Sequence, residues 1–240
     1  MLSRITPDDT NGPLLSTDQP HLRLYLDTAD VAAWQTWLPV GLFHGVTCNP
    51  LLTERARVDC QPEILQDLAK KAFDLGAQEV HLQAWGGSVD ELLRVGKALG
   101  SADSRIVVKL PATRMGTAAA KTLIQEGILV TLTAAYAVHQ ALIAAAIGAS
   151  YVAPYLGRIN DSGRDGREEI ATMQQALNGV RSQTRILTAS IRQVEDIAVL
   201  AARGVDTFTF SAAIAQSLFE VPATLTATAD FERAAQAISR

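Results

Sequence analysis

The string Ile106-Val107-Val108-Lys109-Leu110-Pro111 sets one lysine inside a run of β-branched and apolar residues, the composition of a strand buried on both faces. An ammonium ion without a partner is costly in such surroundings. Withdrawal from water favours the free amine, and a free amine attacks ketone carbonyls to give an imine. Once protonated, that imine is an electron sink. A carbon–carbon bond one position beyond it can then break by retro-aldol chemistry, and the route needs no metal. The competing role for Lys109 is structural, an ion pair with Asp27 that ties two strands together.

Placing this lysine requires a frame, and the rest of the chain supplies one. Eight short apolar or β-branched runs, at 22–27, 44–49, 79–85, 105–110, 128–133, 151–156, 185–190 and 206–211, read as strands. Between and after them, the segments 31–38, 62–75, 89–99, 116–125, 137–147, 167–180, 192–202 and 212–219 repeat apolar residues at helical spacing. Alternating βα units of this number predict one α/β domain, a (β/α)₈ TIM barrel. A further helix is expected over 223–238, with an apolar face left for the barrel or for another subunit. Residues 1–21 contain Pro, Asp, Asn, Ser and Thr without an apolar core, and read as a flexible extension ahead of a barrel domain spanning 22–240.

Side chains alternate along a strand, so the face that carries Lys109 fixes its companions. The same parity sends Tyr25 and Asp27, Thr47 and Asn49, His81 and Gln83, Thr131 and Thr133, Ala153 and Tyr155, Thr188 and Ser190, and Thr209 and Ser211 into the barrel. Every strand would thus end in an interior polar residue at the C-terminal mouth, where barrel enzymes gather their catalytic groups.

Taken together, LYLDTAD (24–30), GVTCNP (45–50), VVKLPAT (107–113), YVAPYLGRIND (151–161) and LTAS (187–190) resemble the short-chain transaldolase and fructose-6-phosphate aldolase family, from about Leu22 to the C-terminal helix. The resemblance implies that Lys109 is the Schiff-base residue and that Asp27 moves the proton at the hydroxyl beside the breaking bond. It further implies that Asn49, with Thr47 beside it, hydrogen-bonds substrate hydroxyls, and that Gln83, Thr133 and Tyr155 hold a catalytic water. Gln on the third strand with Tyr on the sixth is the aldolase-type pairing, whereas typical transaldolases carry Glu and Phe. Arg158 and Ser190 would take the phosphate. The expected reaction is cleavage or formation of fructose 6-phosphate through a dihydroxyacetone enamine. The alternatives are transfer of that unit between sugar phosphates in pentose phosphate metabolism, a sugar with another anion such as a sulfonate, and a non-catalytic sugar-phosphate binding barrel. By resemblance the chain is a homo-oligomer, often a decamer in this family, with C-terminal helices crossing between neighbours. Thr113-Arg114-Met115-Gly116 departs from the acidic residue and Gly that often follow the lysine motif.

Composition narrows the partners. The net charge of −4 has no basic block, which argues against nucleic acid and anionic membranes, and 48% hydrophobic with 19% charged residues suits a globular enzyme acting on small molecules. The cysteines Cys48 and Cys60 form no disulfide framework, consistent with a cytoplasmic setting. The four histidines lack zinc spacing, and the carboxylate-rich loop 160–166 lacks the closing Glu of a calcium loop, so no metal and no cofactor are expected. That loop reads as a solvated lid.

Overall fold

The structure is a computed structural model that describes residues 22–238; the segment read above as an extension lies outside the described residues. Eight parallel strands close into a barrel in sequence order. They are β1 (Arg23–Asp27), β2 (Gly45–Thr47), β3 (Glu79–Gln83), β4 (Ile106–Pro111), β5 (Val130–Ala135), β6 (Tyr151–Pro154), β7 (Arg185–Thr188) and β8 (Thr207–Phe210). The helices are α1 (Val31–Trp37), α2 (Pro50–Arg55), α3 (Pro62–Asp74), α4 (Val89–Gly100), α5 (Arg114–Gln125), α6 (Val138–Ile147), α7 (Leu156–Asp161), α8 (Gly166–Gly179), α9 (Val194–Ala201), α10 (Ala212–Ser217) and α11 (Pro222–Ile238). The expected barrel and C-terminal helix are both present. None of the described helices is long and apolar enough to cross a membrane.

Two separate apolar clusters result from strand alternation. Outward residues such as Val46, Leu82, Val108, Leu110, Leu132, Val152 and Phe208 pack with the helices, each worth roughly 1.5–3 kcal/mol of burial. Tyr25, Val107, Tyr151, Ala153 and Leu187 plug the barrel interior. The helix α11 buries none of its side chains, and Leu225 and Phe231 stand exposed on it.

Three local expectations are corrected. Strand β7 has the opposite parity to that read from its polar residues: Leu187 belongs to the interior cluster while Ile186 packs on the helices. Leu187 pairs with inward Thr207, and Thr188 pairs with outward Phe208. Thr188 therefore faces the helices, fully buried, with its hydroxyl unpartnered. The second correction is α2, a short helix in a stretch to which the sequence reading assigned no helix; the Asn49 side chain caps it and Pro50 opens it, a standard pair of start signals. The third concerns 160–166, which is folded as helix ends rather than a lid. Asp165 caps α8, Asn160 accepts from the Gly166 amide at 2.8 Å, and Asp161 is held by Arg192.

In β5 the register shifts between Thr133 and Ala135. Ala134 sits there at φ 57°, a left-handed conformation uncommon for a residue with a Cβ. This bulge adjoins Thr133, one of the residues expected to act.

Below the apolar plug, a hydrogen-bonded group closes the N-terminal end of the barrel. Glu79 accepts from Arg23 at 3.1 Å, from Tyr25 at 2.8 Å and from Tyr151 at 2.7 Å. Burial alone would raise the Glu79 carboxyl, but contacts with His44, His81 and Tyr151 outweigh it and hold the group well below the usual carboxylate range. Burial and the neighbouring Glu79 push the Tyr151 phenol up to about 12. His81 is fully buried between Glu79 and the Thr131 hydroxyl, the latter 3.0 Å from Nδ1, and burial lowers its pKa.

Both shifts act in one direction. The unfolded chain binds protons more readily than the folded chain, below about pH 6.5 at His81 and below about pH 4.3 at Glu79. Stability is thus expected to fall as pH drops from 7 to 5, and again below about 4. Thermal unfolding of His81→Gln across pH 4–8 should show a flatter 7-to-5 limb with the lower limb retained; a limb as steep as in the parent would rule out His81 as its source.

Candidate active site

Lys109 occupies the C-terminal half of β4 and is 4% exposed. The flanking Val108 and Leu110 point outward into the helix layer, which aims the lysine into the barrel. Its Nζ donates to the Cys48 carbonyl at 2.9 Å. No ion pair joins it to Asp27 among the described residues, although both line one cavity of about 180 Å³ at the C-terminal mouth. The structural role weighed for Lys109 is thereby disfavoured: its partner is a neutral oxygen. A larger cavity of about 920 Å³ opens near the N-terminal end, but Arg23, Glu79 and Tyr151 in its wall are committed to the network described above. The smaller one holds the Lys109 amine and is the candidate site.

Asp27 ends β1, and its Oδ1 accepts from the Thr47 hydroxyl at 2.7 Å. Thr47 Oγ1 also lies 2.6 Å from Thr209 Oγ1. Because the Thr47 proton goes to the carboxylate, Thr209 donates to Thr47, giving a relay that fixes the Asp27 rotamer. Thr47 is fully buried and does not line the cavity, so it supports Asp27 from below instead of meeting a substrate. Asn49 does line the cavity. Its Oδ1 is taken by the amides of Leu51 and Leu52, which leaves the amide nitrogen as the group able to donate to a ligand.

Thr133 and Tyr155, from β5 and from the residue after β6, meet at 3.0 Å between hydroxyls. Gln83 pairs in register with Lys109; its side chain makes no hydrogen bond among the described residues, to the Thr133–Tyr155 pair included. Tyr155 packs edge-on against Tyr136, with ring centroids 5.7 Å apart. Arg158 sits over the Tyr155 ring at 5.2 Å and reaches the Tyr136 hydroxyl at 3.5 Å. Ser190 faces the cavity even though β7 parity runs the other way, because its backbone turns to φ 58° after the strand.

Cys48, the carbonyl host of the lysine, has its own thiol pushed up to about 12 by burial, so it remains neutral and adds no charge beside the amine. Arg114 and Met115 lie in the first turn of α5, which Thr113 caps, and neither lines the cavity. Gly87 donates to Glu91 at 2.7 Å, so the Gly86-Gly87 pair is a strand-to-helix turn whose Gly87 amide is occupied. What sequence reasoning missed are the α2 residues Leu51, Leu52 and Arg55, which also line the cavity. The Asn49-Pro50 cap was the signal that could have revealed them.

Thr47→Val keeps the shape of the side chain but deletes the proton given to Asp27. Ketose-phosphate turnover is expected to fall about ten-fold, equivalent to about 1.4 kcal/mol, mainly in kcat. Steady-state kinetics would check this, and a change confined to KM would place Thr47 in substrate binding after all.

The site geometry can be set beside known proteins. The chain matches the sequence profile of the Transaldolase/Fructose-6-phosphate aldolase family over residues 24–240. A probable transaldolase of Cereibacter sphaeroides (strain ATCC 17025 / ATH 2.4.3) is 33% identical over 197 residues, 82% of this chain and 88% of that protein. A probable transaldolase of Herpetosiphon aurantiacus is 34% identical over 203 residues, 85% of this chain and 90% of the other. Among solved structures, thiamine phosphate pyrophosphorylase from Pyrococcus furiosus superposes with a TM-score of 0.57 at 17% identity, covering 80% of this chain and 86% of that one; that likeness concerns the fold alone. A family match across the whole described barrel, with relatives aligned over most of both lengths, means that the chain belongs to the transaldolase/fructose-6-phosphate aldolase family of enzymes.

Proposed function

We propose that the chain is a class I aldolase that cleaves or forms fructose 6-phosphate through a dihydroxyacetone enamine on Lys109. The observation that carries this reading is a buried amine, hydrogen-bonded to the neutral Cys48 carbonyl, in one cavity with Asp27. An amine whose only partner among the described residues is a carbonyl oxygen is free to become a nucleophile without dismantling an ion pair.

In the cleavage direction, Nζ adds to the C2 ketone and water leaves, giving the iminium. Asp27, oriented by Thr47, takes the proton of the C4 hydroxyl as the C3–C4 bond breaks and its electrons pass into the iminium. Glyceraldehyde 3-phosphate departs, and the three-carbon enamine remains on the lysine. A water held by the Thr133 and Tyr155 hydroxyls protonates C3, and hydrolysis of the resulting iminium frees dihydroxyacetone. Asn49 donates to the donor hydroxyls, while Arg158 and Ser190 receive the phosphate.

A second reading, transfer of the three-carbon unit to an aldose phosphate, is favoured by the naming of both relatives above as probable transaldolases. The Thr133–Tyr155 hydroxyl pair supports release instead, because two hydroxyls 3.0 Å apart are suited to hold a protonating water.

Incubation with fructose 6-phosphate or dihydroxyacetone, borohydride reduction and digestion is expected to add mass to the peptide carrying Lys109. Lys109→Met should lose both adduct and activity by on the order of 10³-fold or more. An unmodified Lys109 peptide with both compounds would remove the proposed mechanism for these donors. Glyceraldehyde 3-phosphate release is expected without any acceptor, and Tyr155→Phe should slow it roughly ten-fold relative to sedoheptulose 7-phosphate formation from erythrose 4-phosphate. Strict dependence on the acceptor in the parent protein would decide for transfer.

A further inference from the structure

The geometry points to Arg55 as a second cationic wall of the active site, one that with Arg158 selects a doubly charged phosphate over a singly charged anion such as a sulfonate. This rests on the proposed action on a phosphorylated sugar and specifies the anion that the site prefers.

The position of Arg55 follows from helix geometry. Asn49 and Pro50 start α2 at the mouth of β2. Leu51, Leu52 and Arg55 are then spaced to share one face of that helix. All three line the cavity that contains Lys109. Glu54, one residue earlier, lies about 100° around the helix from Arg55, off that face. Arg158 enters the same cavity from α7, which follows β6. The two guanidiniums therefore approach one small volume from different elements of the barrel.

Among the described residues, no ion pair involves Arg55 or Arg158, and Arg158 is steadied only by the Tyr155 ring and the Tyr136 hydroxyl. The acidic groups at hand form no ion pair with either arginine among the described residues. Asp27 accepts from Thr47, and Asp161, whose charge Arg158 feels, is gripped by Arg192 through two contacts of 2.6 Å. Arg55 and Arg158 are both exposed at the mouth of a cavity whose lining contains one carboxylate, Asp27, and a bound anion would be drawn to the two converging guanidiniums.

Charge matching then distinguishes ligands. A phosphate monoester carries roughly −1.5 to −2 near pH 7 and presents three acceptor oxygens. Two guanidinium forks and the Ser190 hydroxyl can satisfy them. A sulfonate presents three oxygens but one charge, and so gains less from the second guanidinium. Shape is nearly the same for both, so discrimination here is electrostatic.

Calorimetric titration with glycerol 3-phosphate and with 2,3-dihydroxypropane-1-sulfonate tests this without requiring turnover. The parent protein is expected to bind the phosphate about ten-fold or more tightly than the sulfonate. Arg55→Gln should weaken phosphate binding about ten-fold while changing sulfonate binding by less than about three-fold, and Arg55→Lys should recover part of the preference. The proposal is overturned by equal weakening of both ligands, by an unaltered preference in Arg55→Gln, or by no binding of either ligand to the parent. Failure to trap an adduct at Lys109 while the Arg55-dependent preference persists would count against the aldolase chemistry alone.

Discussion

The hydrogen bond from Lys109 Nζ to the Cys48 carbonyl organises the chemistry of this barrel. A lysine 4% exposed inside a closed sheet has to be compensated, and the identity of the compensating group decides what the lysine can do. A carboxylate would have made it a tie between strands. The carbonyl instead satisfies one N–H direction and leaves the amine chemically available, while Asp27 is held separately by Thr47 and Thr209. The carboxylate and the amine share a cavity without forming an ion pair among the described residues.

That separation depends on the layers beneath. Tyr25, Val107, Tyr151, Ala153 and Leu187 fill the interior, and the Glu79 network closes its N-terminal end. An unfilled barrel would admit water to the amine from below. With the plug in place, the exchange of substrate and product is confined to the C-terminal mouth, where the loops after each strand can vary without disturbing the core. The network at the far end engages Arg23, Glu79 and Tyr151 with one another in the wall of the larger cavity, while Arg23 Nε is left without a partner among the described residues.

The mouth is more cationic than its interior residues alone would suggest. Arg158 is steadied by an aromatic pair, Tyr136 and Tyr155, of which Tyr155 also carries the hydroxyl bonded to Thr133. Under the proposed function, the arginine assigned to the anion and the candidate proton source thus meet at one side chain. Such an arrangement couples binding of the substrate's charged end to the position of the hydroxyl above the donor carbon.

Much of the site was legible in the chain itself. Strand periodicity with eight βα units dictates a barrel, and alternation dictates that Asp27, Thr47, Gln83, Lys109 and Thr133 share its interior, because a pleated strand offers only two faces. Sequence failed where backbone geometry departs from regular alternation. In β7 the polar Thr188 and Ser190 read as inward, yet packing buries Leu187 inside, and Ser190 reaches the cavity only through its left-handed turn. The bulge at Ala134 and the short helix that brings Arg55 to the mouth are likewise set by closure of the ring and by capping at Asn49. Residue types and their period determined which groups are present and toward which axis they point. Distances decided the rest: whether Lys109 meets a carbonyl or a carboxylate, and whether Thr47 touches a ligand or its neighbour Asp27, depend on contacts between strands far apart in the chain, which exist only once the barrel has closed.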